Sequence, residues 1–260
     1  MITTENSPKV LHADPEHGGL RFVVIFILLI GLILSFIMIQ LLLSLLAADT
    51  ILIEFATVFS CAGAIVLALI LAWASEIYLK RAWPSGTTLV LGDTELEYTV
   101  KKRDPGQENE NPEEFLFDWT KNLNLTRWYF ELSGYPRAGR ERRVSSKWNC
   151  LAYRLHQDEA QLIVFGYFPP EKAAVWTEDQ NLSEPFHEIS LAHLYTEAGK
   201  KRRGAGTRPA IPSSMLTGSN GRYWLAEQKR WQDGVELAQE DFVTFMKYTE
   251  RKTQIGRGEA

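Results

Sequence analysis

Cysteine is scarce, with only Cys61 and Cys150 in a chain of 260 residues. That excludes a disulfide-stapled scaffold, which is cysteine-dense. Positive charge is missing from one long stretch: no lysine or arginine lies between Arg21 and Lys80, and only Lys9 and Arg21 of the 28 basic residues precede Lys80. Motifs of catalysis are missing too. The chain has no HExxH, GxxxxGK[ST], GxGxxG or GxSxG run, and no cysteine pair at zinc-ligand spacing. The composition, 45% hydrophobic and 23% charged, excludes a disordered or collagen-like chain. The mean hydropathy of -0.16 conceals an uneven distribution, because the apolar residues are concentrated in one region.

That region opens with FVVIFILLIGLILSFIMIQLLLSLLA at residues 22–47, whose only strongly hydrogen-bonding side chains are Ser35, Gln40 and Ser44. A bilayer core of about 30 Å takes about 20 apolar residues in a helix, so this run spans it with some tilt. A second run, ILIEFATVFSCAGAIVLALILAWASEIYL, begins at Ile51. A signal peptide has a shorter apolar core, and a buried globular helix is shorter and amphipathic. The sequence therefore predicts a transmembrane helical hairpin over residues 21–80. Lys9 and Arg21 precede it; Lys80, Arg81 and Lys101–Arg103 follow; the connecting turn carries Asp49 and no positive charge. Basic flanks remain in the cytoplasm, so both termini are expected there and the protein in the plasma (inner) membrane. Trp73, Tyr78 and Trp83 suit an aromatic belt at that face.

Small residues let helices approach closely in lipid. Gly31 and Ser35 share one face of the first helix, and Ser60, Gly63, Ala64, Ala68 and Ala72 form a stripe on the second. Packing within the hairpin is the simplest use of these residues; homo-oligomerisation is the other. No Lys, Arg, Asp or His lies within the spans, which argues against a channel or pump.

Four parts are expected: an N-terminal arm over 1–20, the hairpin over 21–80, a cytoplasmic domain over 84–252 and a tail over 253–260. The domain carries nearly equal numbers of acidic and basic side chains, so no nucleic-acid partner is expected. Two runs joined by Gly92-Asp93, Thr87–Leu91 and Glu95–Lys101, read as a β-hairpin. Phe115, Phe117 and Trp119 alternate, and the change of parity between Leu125 and Trp128 predicts a bulge near Thr126-Arg127. Further strands are expected over 144–156, 161–168 and 172–176, with a strand or helix at 187–195. Residues 101–114 and 199–221 read as loops, which makes Glu113 and Glu114 loop-edge carboxylates; Asp158 and Glu159 read likewise. Trp224, Trp231, Val235, Phe242 and Phe245 recur at helical spacing and predict the core face of one C-terminal amphipathic helix interrupted at Gly234. The fold class is α+β: a mainly antiparallel bent sheet or partial barrel whose open end that helix closes.

The order of these parts resembles bacterial pleckstrin-homology-like proteins, many of which place a two-helix membrane hairpin directly before a small β-domain. The resembling stretches are WPSGTTLVLGDTELEYTV, FLFDWTKNLNLTRWYFEL and the C-terminal helix. The resemblance implies a seven-stranded bent sandwich with a capping helix, and binding or scaffolding at a membrane without catalysis. It carries over no binding residue. No catalytic residue, cofactor or metal ligand is predicted; His187 and His193 read as surface histidines, since a metal site needs more ligands. Lys200, Lys201, Arg202 and Arg203 form the one charge run with a plausible target, anionic lipid, at about 1 kcal/mol per charge. Arg137, Arg140, Arg142 and Arg143 form a weaker second run. The expected function is a membrane-anchored interaction protein that presents its domain to an unknown protein partner or to the bilayer surface. The rivals are a membrane-tethered enzyme of unfamiliar fold and an accessory subunit of a transporter or secretion complex.

Overall fold

The computed structural model describes residues 8–13, 18–46, 56–83, 85–100, 113–133, 137, 141, 143–191 and 211–256. The chain divides into two units, Pro15–Ser85 and the combination of Met1–Asp14 with Gly86–Ala260. The N-terminal arm is therefore no separate part, because its residues Lys9–His12 form a strand of the sheet domain.

Unit Pro15–Ser85 is a pair of helices, α1 (Gly18–Leu46) and α2 (Ala56–Ala82). Both are long and apolar enough to cross a membrane. They meet through their small residues. Gly31, Ser35, Ser60, Ala64, Ala68 and Ala72 are turned inward, while large side chains such as Leu34, Leu42, Val66 and Trp73 are exposed. A Cβ added at Gly31 would lie 3.8 Å from the Ala68 Cα, and one at Gly63 would lie 2.9 Å from the Ile39 Cδ1.

The other unit contains two sheets. The first has the order β1-β2-β3-β4, with β1 Lys9–His12, β2 Thr87–Leu91, β3 Glu95–Val100 and β4 Glu113–Asp118. All its pairs are antiparallel. Glu113 and Glu114 accordingly lie in a strand, not at a loop edge. In the pair β1 and β2, Lys9 faces Leu91 and His12 faces Thr88. The strands that precede α1 and follow α2 are thus direct neighbours.

The second sheet has the order β8-β5-β6-β7-β9, with β5 Asn124–Glu131, β6 Asn149–Gln157, β7 Ala160–Phe168, β8 His187–Glu188 and β9 Val235–Glu236. The three long strands pair antiparallel, and the two-residue edges β8 and β9 are parallel to β5 and β7. Asp158 makes the tight turn from β6 to β7 with a φ of 52°. The predicted bulge at Thr126-Arg127 is absent: β5 and β6 stay in register from Asn124 opposite His156 to Glu131 opposite Asn149. The parity shift has a different cause, since both faces of this sheet are buried. Leu151, Tyr153, Leu155, Leu162 and Val164 enter one core with Leu11, Leu89, Leu96, Phe117, Phe242 and Phe245. The alternate residues Trp128, Phe130, Ala152, Ile163 and Phe165 enter a second core with Tyr223, Trp224 and Ala226.

The expected strand over 172–176 is instead helix α3, Pro170–Thr177. Pro170 stands at its first position, where the missing N–H costs nothing. One helical turn, α4, follows at Ser213–Leu216. The single C-terminal helix is corrected to two, α5 (Gly221–Asp233) and α6 (Gln239–Gly256), separated by β9. Gly234 has extended backbone, which ends α5. The five aromatic and aliphatic residues do not share one face. Trp224 packs in the second core, Val235 lies on β9, Phe242 and Phe245 pack in the first core, and Trp231 is half-buried. Helix α5 therefore lies on the second-core face of this sheet, while α6 joins the first core, to which both sheets contribute.

Candidate functional site

Two arginines are buried against the second sheet, and a buried guanidinium needs carboxylate partners. Arg127 on β5 is 0% exposed in its side chain. It donates to the Glu250 carboxylate of α6, to the Tyr153 hydroxyl at 3.1 Å and to the Glu184 carbonyl at 2.7 Å. Glu250 also accepts from the Ser183 backbone N–H at 2.6 Å. Burial opposes the charge on Arg127, but Tyr153 and Glu250 outweigh it and hold the guanidinium above its ordinary value. This network ties α6 to β5 and to the loop before β8.

Arg230 on α5 is the second buried arginine. Its guanidinium lies between the rings of Phe130 at 5.1 Å and Phe165 at 4.7 Å, as a cation stacked on two π faces. It donates to Glu227 at 2.8 and 2.9 Å and to Glu141 at 3.1 Å. Glu227 also accepts from the Trp128 indole N–H at 2.8 Å. These contacts pin α5 onto the sheet. Glu227 and Arg230 stand three apart among Trp224 and Trp231; two charges on an apolar helix face were the available sequence signal for the network.

The domain's surface has a groove of about 650 Å³ between α3 and the start of α6. Phe168, Val175, Trp176 and Val243 supply its apolar wall, and Lys172, Glu240 and Asp241 its polar rim. Val175 is 66% exposed. Burial raises the Asp241 carboxyl, opposed by His12 and Lys9 of β1. This is the candidate docking site, and neither its helix α3 nor its residues followed from the sequence reading.

A third cluster lies on the α5 side of the five-stranded sheet. Arg154 on β6 donates to the Thr126 hydroxyl at 3.2 Å. His187 on β8 stacks on Tyr223 with ring centroids 4.0 Å apart. The Arg222 guanidinium covers the same Tyr223 ring at 4.5 Å and pairs with Glu184 at 2.9 Å.

Gly31, Ser35, Ser60 and Gly63 meet within the helix pair, with Gly63 half-buried and the other three buried. Lys200, Lys201, Arg202, Arg203 and His193 lie outside the described residues, as do Arg140 and Arg142. Arg137 donates to the carbonyls of Glu141 and Val144, and Arg143 approaches Glu236 at 3.9 Å. The second basic run is thus partly engaged within the domain. Cys61 is exposed on α2, and Cys150 is buried in the second core. Among the described residues no three His, Cys, Asp or Glu side chains gather as a metal site. Neither protein-family models, curated proteins nor solved structures include a match to this chain.

Proposed function

We propose that the protein is a membrane-anchored interaction module: α1 and α2 cross the plasma membrane as a hairpin, and the sheet domain holds a protein partner at the cytoplasmic face. The observation that carries this reading is the pairing of β1 with β2. The chain leaves β1, runs through both apolar helices and returns as the neighbouring strand. Two opposite crossings bring it back to the side it left, so the arm and the domain fold together on one side of the bilayer. Lys9, Arg21, Lys80 and Arg81 lie near the helix ends on that side, and basic residues there support a cytoplasmic placement.

The pleckstrin-homology-like reading is supported by seven longer strands divided four and three between two sheets, with a C-terminal helix against the core. Helix α5 on the outer face of the second sheet is an addition to that plan. The α3–α6 groove supplies an exposed apolar surface with a charged rim, the usual make-up of a protein-docking patch.

Three measurements test the proposal. In alkaline carbonate the full chain is expected to stay with the membrane pellet, and protease added outside sealed inner-membrane vesicles of cytoplasm-out orientation is expected to digest the sheet domain. A chain released into the supernatant, or a domain protected in such vesicles, refutes the anchoring or the orientation respectively. A photo-crosslinker at Val175 is expected to capture a discrete partner in mild detergent that one at Glu159 does not.

A further inference from the structure

Among the described residues the two fully buried arginines are matched to carboxylates, and half-buried Arg154 is not. Arg127 has Glu250, and Arg230 has Glu227 and Glu141. Arg154, half-buried on β6, donates one hydrogen bond to the neutral hydroxyl of Thr126, and its buried Nε has no partner among the described residues. Across β5 from it, His187 presents a buried Nε2 that also lacks a partner among the described residues. The two side chains project from the same face of the sheet. Arg154 is opposite Thr126, two residues from Trp128, and Trp128 is opposite His187. The reach of Arg154 to Thr126 carries its guanidinium over β5 toward β8. Arg222 covers the other side of this corner, stacked on Tyr223, which itself stacks on His187.

The electrostatics are one-sided. Burial lowers Arg154, and the charge acting on it besides burial is Arg222, another cation. His187 is lowered by burial and again by Arg222, with Glu188 opposing. Glu188 is shared with the Tyr129 hydroxyl at 3.2 Å, and Glu184 is engaged by Arg222. A desolvated cation without a counter-charge is costly. A planar guanidinium beside a second guanidinium and an imidazole N–H is the donor set suited to a tetrahedral oxyanion.

We propose that Arg154, His187 and Arg222 form a binding site for a phosphate group, either free inorganic phosphate or a phosphate monoester. Arg154 supplies the central charge, Arg222 closes the site from α5, and His187 donates from Nε2. An anion there supplies the counter-charge that no described residue gives Arg154, so occupancy stabilises the domain by mass action.

The test uses the full chain in neutral detergent and in nanodiscs. Inorganic phosphate is added against sodium chloride of matched ionic strength, and domain unfolding is followed through tryptophan near-UV dichroism. A saturable rise of Tm with phosphate and not with chloride is expected, with apparent affinity weakened at least tenfold in Arg154→Gln and less in Arg154→Lys. In nanodiscs, a rise on adding phosphatidic acid to phosphatidylcholine, lost in Arg154→Gln, identifies a lipid monoester as the source; a rise only with dissolved phosphate identifies the free anion. A purely structural Arg154 would lower the Tm on substitution and leave the phosphate response unchanged. That result, or no Arg154-dependent response to either probe, overturns the site.

Discussion

The two units of this chain bury opposite kinds of residue. In the helix pair the inward positions are Gly31, Ser35, Ser60, Ala64 and Ala68, while Leu34 and Trp73 point outward. In the sheet domain the inward positions are Trp128, Phe130, Tyr153, Phe242 and Phe245, and the described exposed residues are mainly polar or charged. An aqueous solvent rewards burying large apolar groups. A hydrocarbon solvent does not, so only close backbone approach and van der Waals fit remain to hold helices together. The same side chain therefore has different value in the two units, and substitution separates them.

Phe242→Ala is expected to cost about 3–5 kcal/mol of domain stability, because it empties a site in the first core beside the ring of Phe168. Leu34→Ala on α1 removes a comparable apolar bulk from an outward position and is expected to leave the helix pair within about 0.5 kcal/mol of the original. Thermal unfolding of the domain and a steric-trap measurement of hairpin opening would read the two. A large loss for Leu34→Ala would mean that its face is covered by protein rather than lipid.

Charge gives the next contrast. Glu227→Gln removes the negative charge facing Arg230 and weakens the acceptor of the Trp128 indole, all within the second core. Breaking a buried pair costs about 3–5 kcal/mol. Glu184→Gln breaks a pair whose arginine side is 54% exposed, and about 0–1 kcal/mol is expected. Comparable midpoints for the two variants in urea would show that Arg230 is solvated.

In the hairpin the sensitive change is the opposite one, an enlargement. Gly63→Ile drives a branched side chain against Ile39, and about 1–3 kcal/mol of overpacking is expected. Gly63→Ala asks only a few tenths of an ångström of Ile39 and should cost less. The measurement is hairpin opening in the same steric trap.

What was readable in the sequence divides along similar lines. The two apolar helices followed from run length alone. The strand QLIVFGYF was legible because both its faces are buried, leaving no polar alternation. The same double burial misled the reading of Leu125 and Trp128, where a change of face imitated a bulge. Strand β1 was hidden because KVLH is four residues long and pairs with residues about eighty positions away, across the entire hairpin. The helix α3 was hidden by Val175 and Trp176, residues common in strands, although Pro170 marked a helix start. The buried charge networks join residues 123 and 89 positions apart, a distance no local pattern spans.

The smallest effect concerns His187. Burial and the nearby Arg222 hold its imidazole below the ordinary histidine value. A histidine depressed in the folded state binds its proton more readily when unfolded, near pH 6.5. Its contribution is therefore fully present above that pH and is lost as pH falls toward the folded value. Arg222→Gln removes a positive charge from the Tyr223 stack, so the His187 titration, followed by its ring NMR signals, is expected to move up. The domain should then lose less stability between neutral and mildly acidic pH than the original chain does. An unmoved titration in Arg222→Gln would mean that burial alone depresses His187 and that Arg222 points its charge into solvent.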